Sequence, residues 1–100
     1  MATTTKALAR AAAATSSATL YTVPASTTTV ITNIVVTNSA GTAGTFTITL
    51  DAVDLFKDVA IAANTTAMFD LKQVLATTKI IAGLASATTV RFHISGVEIA

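Results

Sequence analysis

Polar and apolar positions change rhythm along this chain. Thr45 to Leu50 alternates strictly, with Phe46, Ile48 and Leu50 on one face and Thr45, Thr47 and Thr49 on the other. A period of two marks a half-buried antiparallel strand. Thr27 to Asn38 does not alternate cleanly. One face carries Val30, Thr32, Ile34 and Val36, and the other carries Ile31, Asn33, Val35 and Thr37. Asn38-Ser39-Ala40-Gly41 and Gly44 supply turn chemistry between the two strands. The pattern predicts a hairpin over Thr27 to Leu50. In it Val30, Ile34 and Val36 serve the domain's own core, while Ile31 and Val35 need cover from the chain's tail or a neighbouring subunit.

The remaining segments read as further short strands. Ala18 to Val23 is a strand ended by Pro24, which lacks the N–H that a central strand would use. Asp51-Ala52 makes a tight reversal into Val53 to Phe56, and Lys57-Asp58 separates that from Val59 to Ala62. Asn64-Thr65 turns the chain into Thr66 to Phe69. Asp70 to Leu75 carries helix-start chemistry: Asp70 as a cap, Gln73 reaching back, and Phe69 and Val74 at staple positions, so one helical turn is expected. Lys79 to Leu84 is the next strand, with Gly83 suggesting a bulge near its end. In Thr89 to Ile99, Val90, Phe92 and Ile94 face inward, and the apolar parity changes after Gly96 to Val97 and Ile99, as a bulge there would cause. About eight short strands with frequent turns indicate an all-β fold, a small antiparallel β-sandwich of jelly-roll or Ig-like type.

Met1 to Ser17 differs from the rest of the chain. Lys6 and Arg10 flank an Ala-rich stretch in which Leu8 is the one sizeable apolar group. Residues 1–17 are expected to be either a flexible, disordered or weakly helical tail or an N-terminal arm that orders only on a neighbouring subunit, with Leu8 as anchor and Lys6 and Arg10 at its rim. The β-sandwich domain then covers residues 18–100.

Composition narrows the function. The chain has 100 residues and no cysteine, so a disulfide frame and a thiolate metal site are excluded. Ala and Thr make up about two-fifths of it, and Thr favours strands while keeping one side wet. The formal net charge is +1 with the charges scattered, which argues against a nucleic-acid footprint of clustered Lys and Arg. No apolar run reaches the roughly 20 residues a membrane-spanning helix requires. With so little charge, association is the natural state of the folded chain.

Candidate chemistry is sparse. His93 is the one histidine and has no base, nucleophile or second ligand near it in sequence. Asp51, Asp54 and Asp58 form the one carboxylate cluster, but they miss the spacing of a dedicated calcium loop, and Lys57 competes for them. They read as acids of surface turns. Tyr21 is the one aromatic other than Phe, which gives a lectin-like aromatic platform little to work with. No catalytic residue, metal or cofactor is expected. Candidate interface residues are Lys6, Leu8, Arg10, Tyr21, Ile31 and Val35.

Leu20 to Asn38, LYTVPASTTTVITNIVVTN, followed by Thr45 to Asp51, TFTITLD, resembles a family of small bacteriophage virion proteins. Members share an LYTVPAGTT opening, a VTN segment, an ANTT turn and a closing strand near F.ISGVEI. The counterparts here are Leu20 to Thr28, Asn33 to Asn38, Ala63 to Thr66 and Phe92 to Ile99. Two positions depart from the pattern. Ser26 stands where glycine is usual, and Thr77-Thr78-Lys79 replaces an Ala-Gly-Asp turn. The resemblance implies a non-enzymatic decoration, or cement, protein on the capsid surface of the virion, or else a tail, baseplate or head–tail component. It implies a homo-oligomer, a trimer, that contacts the major capsid protein and takes no nucleic acid, membrane or small-molecule substrate. A glycan- or receptor-binding module at the virion surface is the rival from another class.

Overall fold

A computed structural model describes residues 3–100. Eight strands form: β1 (Thr3–Ala12), β2 (Ala18–Thr22), β3 (Thr28–Asn38), β4 (Gly44–Leu50), β5 (Val53–Ile61), β6 (Thr65–Leu75), β7 (Ile80–Ala85) and β8 (Val90–Ile99). They make two antiparallel four-stranded sheets, in the orders β1-β8-β3-β6 and β2-β7-β4-β5. The pairings are nested: β1 with β8, β2 with β7, β3 with β6 and β4 with β5. This is the winding of a jelly roll, in which one long paired ribbon rolls into two sheets. The choice left open between jelly-roll and Ig-like order is thereby decided.

The strand order corrects several expectations. Thr27 to Leu50 is not a hairpin, because β3 and β4 lie in different sheets and the turn residues between them form an arch across the sandwich. Among the described residues, 3–17 do not form a separate arm. Thr3–Ala12 is an edge strand laid along β8, with Leu8 and Ala13 buried in the core. Asp70 to Leu75 is not helical but the second half of β6, where pairing with β3 outweighs the local capping pattern. Lys57-Asp58 does not divide two strands. β5 runs through it with Asp58 at φ 48°, and the Thr47 hydroxyl bridges the kink by accepting from the Asp58 amide at 3.0 Å.

Bulges occur one strand away from where the glycines suggested them. β8 pairs without interruption, while β1 and β3 skip a residue beside it, at Leu8 and Thr32. Likewise β7 is regular opposite β2, which skips Leu20. In both places a leucine from the bulged strand packs over the glycine of its neighbour. A Cβ on Gly83 would meet Leu20 Cδ1 at 3.0 Å, and one on Gly96 would meet Leu8 Cδ1 at 2.9 Å.

The bulge at Thr32 also resets the faces of β3. Thr29 and Ile31 point into the sandwich before it, and Ile34, Val36 and Asn38 after it, all almost completely buried. The core they enter is closed by Phe46 and Ile48 of β4, Ile81 of β7, and Phe92 and Ile94 of β8. Phe46 sits among three other rings, with centroids 5.9 Å from Phe56, 6.1 Å from Phe69 and 6.1 Å from Phe92. Tilted and edge-on rings at such distances attract beyond their area of burial.

Two polar clusters seal opposite ends of this core. At one end Asn38 Nδ2 donates to the carbonyls of Thr42 (2.9 Å) and Ala62 (3.3 Å), while its Oδ1 accepts from Ala40 N (3.1 Å) and Thr89 Oγ1 (3.4 Å). One side chain thus ties the β3–β4 arch to the β5–β6 turn and the approach to β8. At the other end Thr29 Oγ1 lies 2.8 Å from Tyr21 Oη, which donates to Glu98.

Candidate interaction surface

The outer face of the β1-β8-β3-β6 sheet is built in rows set by strand register. One row runs Thr5, Val97, Val30, Val74. The next runs Ala7, Ser95, Asn33, Asp70, and the one beyond it Arg10, His93, Val35, Met68. These residues face out because their neighbours in sequence face in. Val30, Val35 and Val97 are half-buried by flanking side chains of the same sheet. At the β6 edge the shelter ends: Met68 is 74% exposed and Val74 68%. Large apolar groups so open to water are uncommon unless they meet a partner.

The two bulges beside β8 open a shallow depression of about 380 Å³ on this face. Thr5, Ala7, Arg10, Thr32, Ser95 and Val97 contribute to its walls. Thr32 Oγ1 donates to the Ser95 carbonyl at 3.3 Å. The depression offers hydroxyls and one guanidinium, which suits a carboxylate or hydroxyl group of a partner chain better than a reacting substrate.

Glu98 and Tyr21 occupy the rim of the core below. Glu98 is only 14% exposed in its side chain, and Lys6 Nζ reaches it at 3.4 Å. The hydrogen bond from Tyr21 holds the Glu98 carboxyl below its usual range, with Lys6 adding to the effect against partial desolvation. Burial, reinforced by Glu98, pushes the Tyr21 hydroxyl above its usual value. Both shifts favour the pair seen: a neutral phenol donating to a carboxylate. The group acts as a structural closure, since Tyr21 and Thr29 are buried and their hydroxyls are bonded to each other and to Glu98.

The expected interface residues divide in two. Leu8, Tyr21 and Ile31 lie in the chain's own core and present nothing to a neighbour. For Ile31 the cause is the Thr32 bulge, which turns it to the side opposite Val35. Lys6 is engaged with Glu98. Arg10 and Val35 do share the outer face, one on each side of His93. Asp51, Asp54 and Asp58 do not converge: Asp51 pairs with Lys79 at 3.5 Å, and among the described residues no group of three acids or histidines could hold a metal. Tyr21, Phe46 and Phe92 are buried, and Phe56 and Phe69 are half-buried.

Val74 escapes a reading of the sequence because Asp70 to Leu75 looks locally like a helical turn, and Met68 because that turn cuts its strand, Thr66 to Phe69, to four residues. The signal is nonetheless present in Thr66, Met68, Asp70, Lys72 and Val74 alternating with Ala67, Phe69, Leu71 and Leu75. Compared with family models, curated proteins and solved structures, the chain has no match.

Proposed function

We propose that the chain is a non-enzymatic structural protein of a bacteriophage virion, a capsid decoration protein that associates with itself and binds the major capsid protein across joints between subunits. The observation that supports this most is where the residues of the resemblance fall in the fold. Tyr21 and Glu98, from its first and last segments, meet at one hydrogen-bonded closure with Thr29 beside them. Asn38 ties three connections together, and Asn64 takes the turn into β6 at φ 50°. Gly96 makes room for Leu8. These residues hold the scaffold together, which supports a structural role.

The two departures point the same way. Ser26 has φ 56° and Thr78 has φ 69°, in the left-handed region that favours glycine. Glycine is the residue the resemblance expects at both. The side chains differ while the backbone that glycine would serve is retained. Jelly rolls occur in viral capsid and lectin domains. That is an analogy of fold, and it supports the role without specifying it.

Binding of this kind acts by mass action. A protein that attaches only to the assembled shell stabilises it by its own association free energy. The outer face of β1-β8-β3-β6, with threonines, valines and a shallow cationic depression, is the surface available for it.

The test is to locate and count an epitope-tagged copy of the chain on purified particles. Labelling over the head at a copy number tied to capsid subunits is expected. Labels confined to tails would replace this reading with a tail component, and particles free of label would remove both.

A further inference from the structure

Among the four strands at sheet edges, β6 is the one that invites pairing. β2 is five residues long and stops before Pro24. β5 is kinked at Asp58, and β1 is bulged at Leu8 and carries Lys6 and Arg10. Short length, bulges and charges are the devices that blunt an edge. β6 is 11 residues long, has neither proline nor glycine, and carries the two most exposed large apolar residues of its sheet. It too has an irregularity, at Leu71-Lys72, and charges. Its side chains nonetheless keep their alternation, and Asp70 and Lys72 are of opposite sign where Lys6 and Arg10 are alike.

We propose that β6 is a self-recognition edge, pairing antiparallel with β6 of a second copy about a two-fold axis at Leu71. An axis there sets each residue opposite one whose number completes the same sum. Met68 then faces Val74 of the other copy, and Asp70 faces its Lys72, each twice by symmetry. All four positions lie on the outer face of the sheet, since β6 alternates without a change of parity from Thr66 to Val74. Opposite charges and apolar pairs meet directly, which is the arrangement that stabilises cross-strand neighbours. Moving the register by two residues brings Asp70 against Asp70, or Lys72 against Lys72, and separates Met68 from Val74. The complementarity therefore belongs to one register.

Other features agree. Among the described residues Lys72 makes no ion pair, and Asp70 contacts only Asn33 Nδ2, at 3.4 Å. Leu71 and Lys72 are the two residues of β6 that the β3 ladder passes over, and the axis lies on the first of them. Pairing there would join two β1-β8-β3-β6 sheets into one of eight strands, with Met68 and Val74 under cover. The contact is isologous, so it closes at two copies and does not propagate. It is argued from this chain alone, sets a two-fold pair in place of the trimer that the resemblance implies, and stands or falls separately from the virion role.

Sedimentation of the full chain over a range of concentrations tests it. A dimer is expected. Lys72→Asp, which sets four acids together at the axis, should weaken the dimer at least about tenfold. Asp70→Lys with Lys72→Asp, which exchanges the charges, should restore it. Because the chain has no cysteine, Met68→Cys with Val74→Cys offers an independent reading. Those positions are six residues apart on one strand, about 20 Å, so a disulfide between them must join two chains. Oxidation should give a covalent dimer. A monomer at all concentrations, a trimer indifferent to the charge changes, or a double-cysteine variant that stays single-chain on oxidation would overturn the proposal.

Discussion

Leu8 Cδ1 lies 2.9 Å from the point where a Cβ on Gly96 would stand, and the Val30 carbonyl oxygen lies closer still. Leu8 can occupy that space because β1 bulges there and Gly96 has no side chain. The contact joins the first strand to the last and carries β1 into the core.

Gly96→Ala sets a methyl against backbone that cannot withdraw, and overpacking of that kind costs about 1–3 kcal/mol. The midpoint of urea unfolding should fall accordingly. An unchanged midpoint would mean that β3 and β8 stand further apart at this point than the contact requires.

Removing residues 1–12 deletes β1 and its leucine and turns β8 into an edge. Leu8→Ala alone should cost about 2–4 kcal/mol, within the range for buried leucines. The truncation should lose its cooperative thermal transition by circular dichroism. A truncated chain melting like the full one would return these residues to the status of a detachable arm.

Glu98 titrates below its usual range in the folded protein, chiefly because Tyr21 donates to it. A carboxyl depressed on folding adds stability that is complete above its unfolded pKa and lost as pH falls through the folded one. Tyr21 moves the other way, so its contribution is present below its ordinary pKa and lost as pH rises through the folded value. Tyr21→Phe should therefore lower the melting temperature near neutral pH and flatten its dependence on pH in the acid range. Equal acid sensitivity in wild type and variant would separate Glu98 from Tyr21.

Asn38 uses both amide hydrogens and its oxygen on three different connections. Asn38→Ala strands several of those backbone partners, and a loss of about 2–3 kcal/mol is expected. Chemical denaturation measures it, and a loss under about 0.5 kcal/mol would show that the connections hold without it.

Asp51 and Ala52 both have left-handed φ, 53° and 62°, in the two-residue turn between β4 and β5. Turns of this type favour Asp-Gly. Ala52→Gly should stabilise the fold by about 1 kcal/mol, the cost an alanine bears in that conformation. A thermal melt decides it, and a lowered midpoint would contradict the turn.

Local chemistry shows in the sequence wherever it acts within a few residues. The inward set Phe46, Ile48 and Leu50, the reversal at Asp51-Ala52 and the turn at Asn64 appear in the structure where the residues indicate, although Thr47 on the other face of β4 is buried as well. So does the all-β class, because β-branched residues at a period of two can bury one face only in a sheet. The surface was less legible. Arg10 and Val35 belong to the outer face, yet of its most exposed large apolar members Val74 sits inside a segment with a helix-like cap and Met68 in the short strand just before it.

Taken alone, the sequence determined that this protein is built of about eight short strands, with a third strand whose apolar groups exceed what one face can use. Which strands pair was decided only in three dimensions. Periodicity says which side of a strand is dry, but nothing local says that β3 pairs with β6 and β8 and crosses to β4, or that Thr3–Ala12 completes the sheet. The surplus on β3 was resolved in the same way. A bulge at Thr32 exists only relative to a regular neighbour, and it moved Ile31 into the core while leaving Val35 outside. Pairing between distant segments is settled by the combined burial of both sheets, and no short window of residues contains that information.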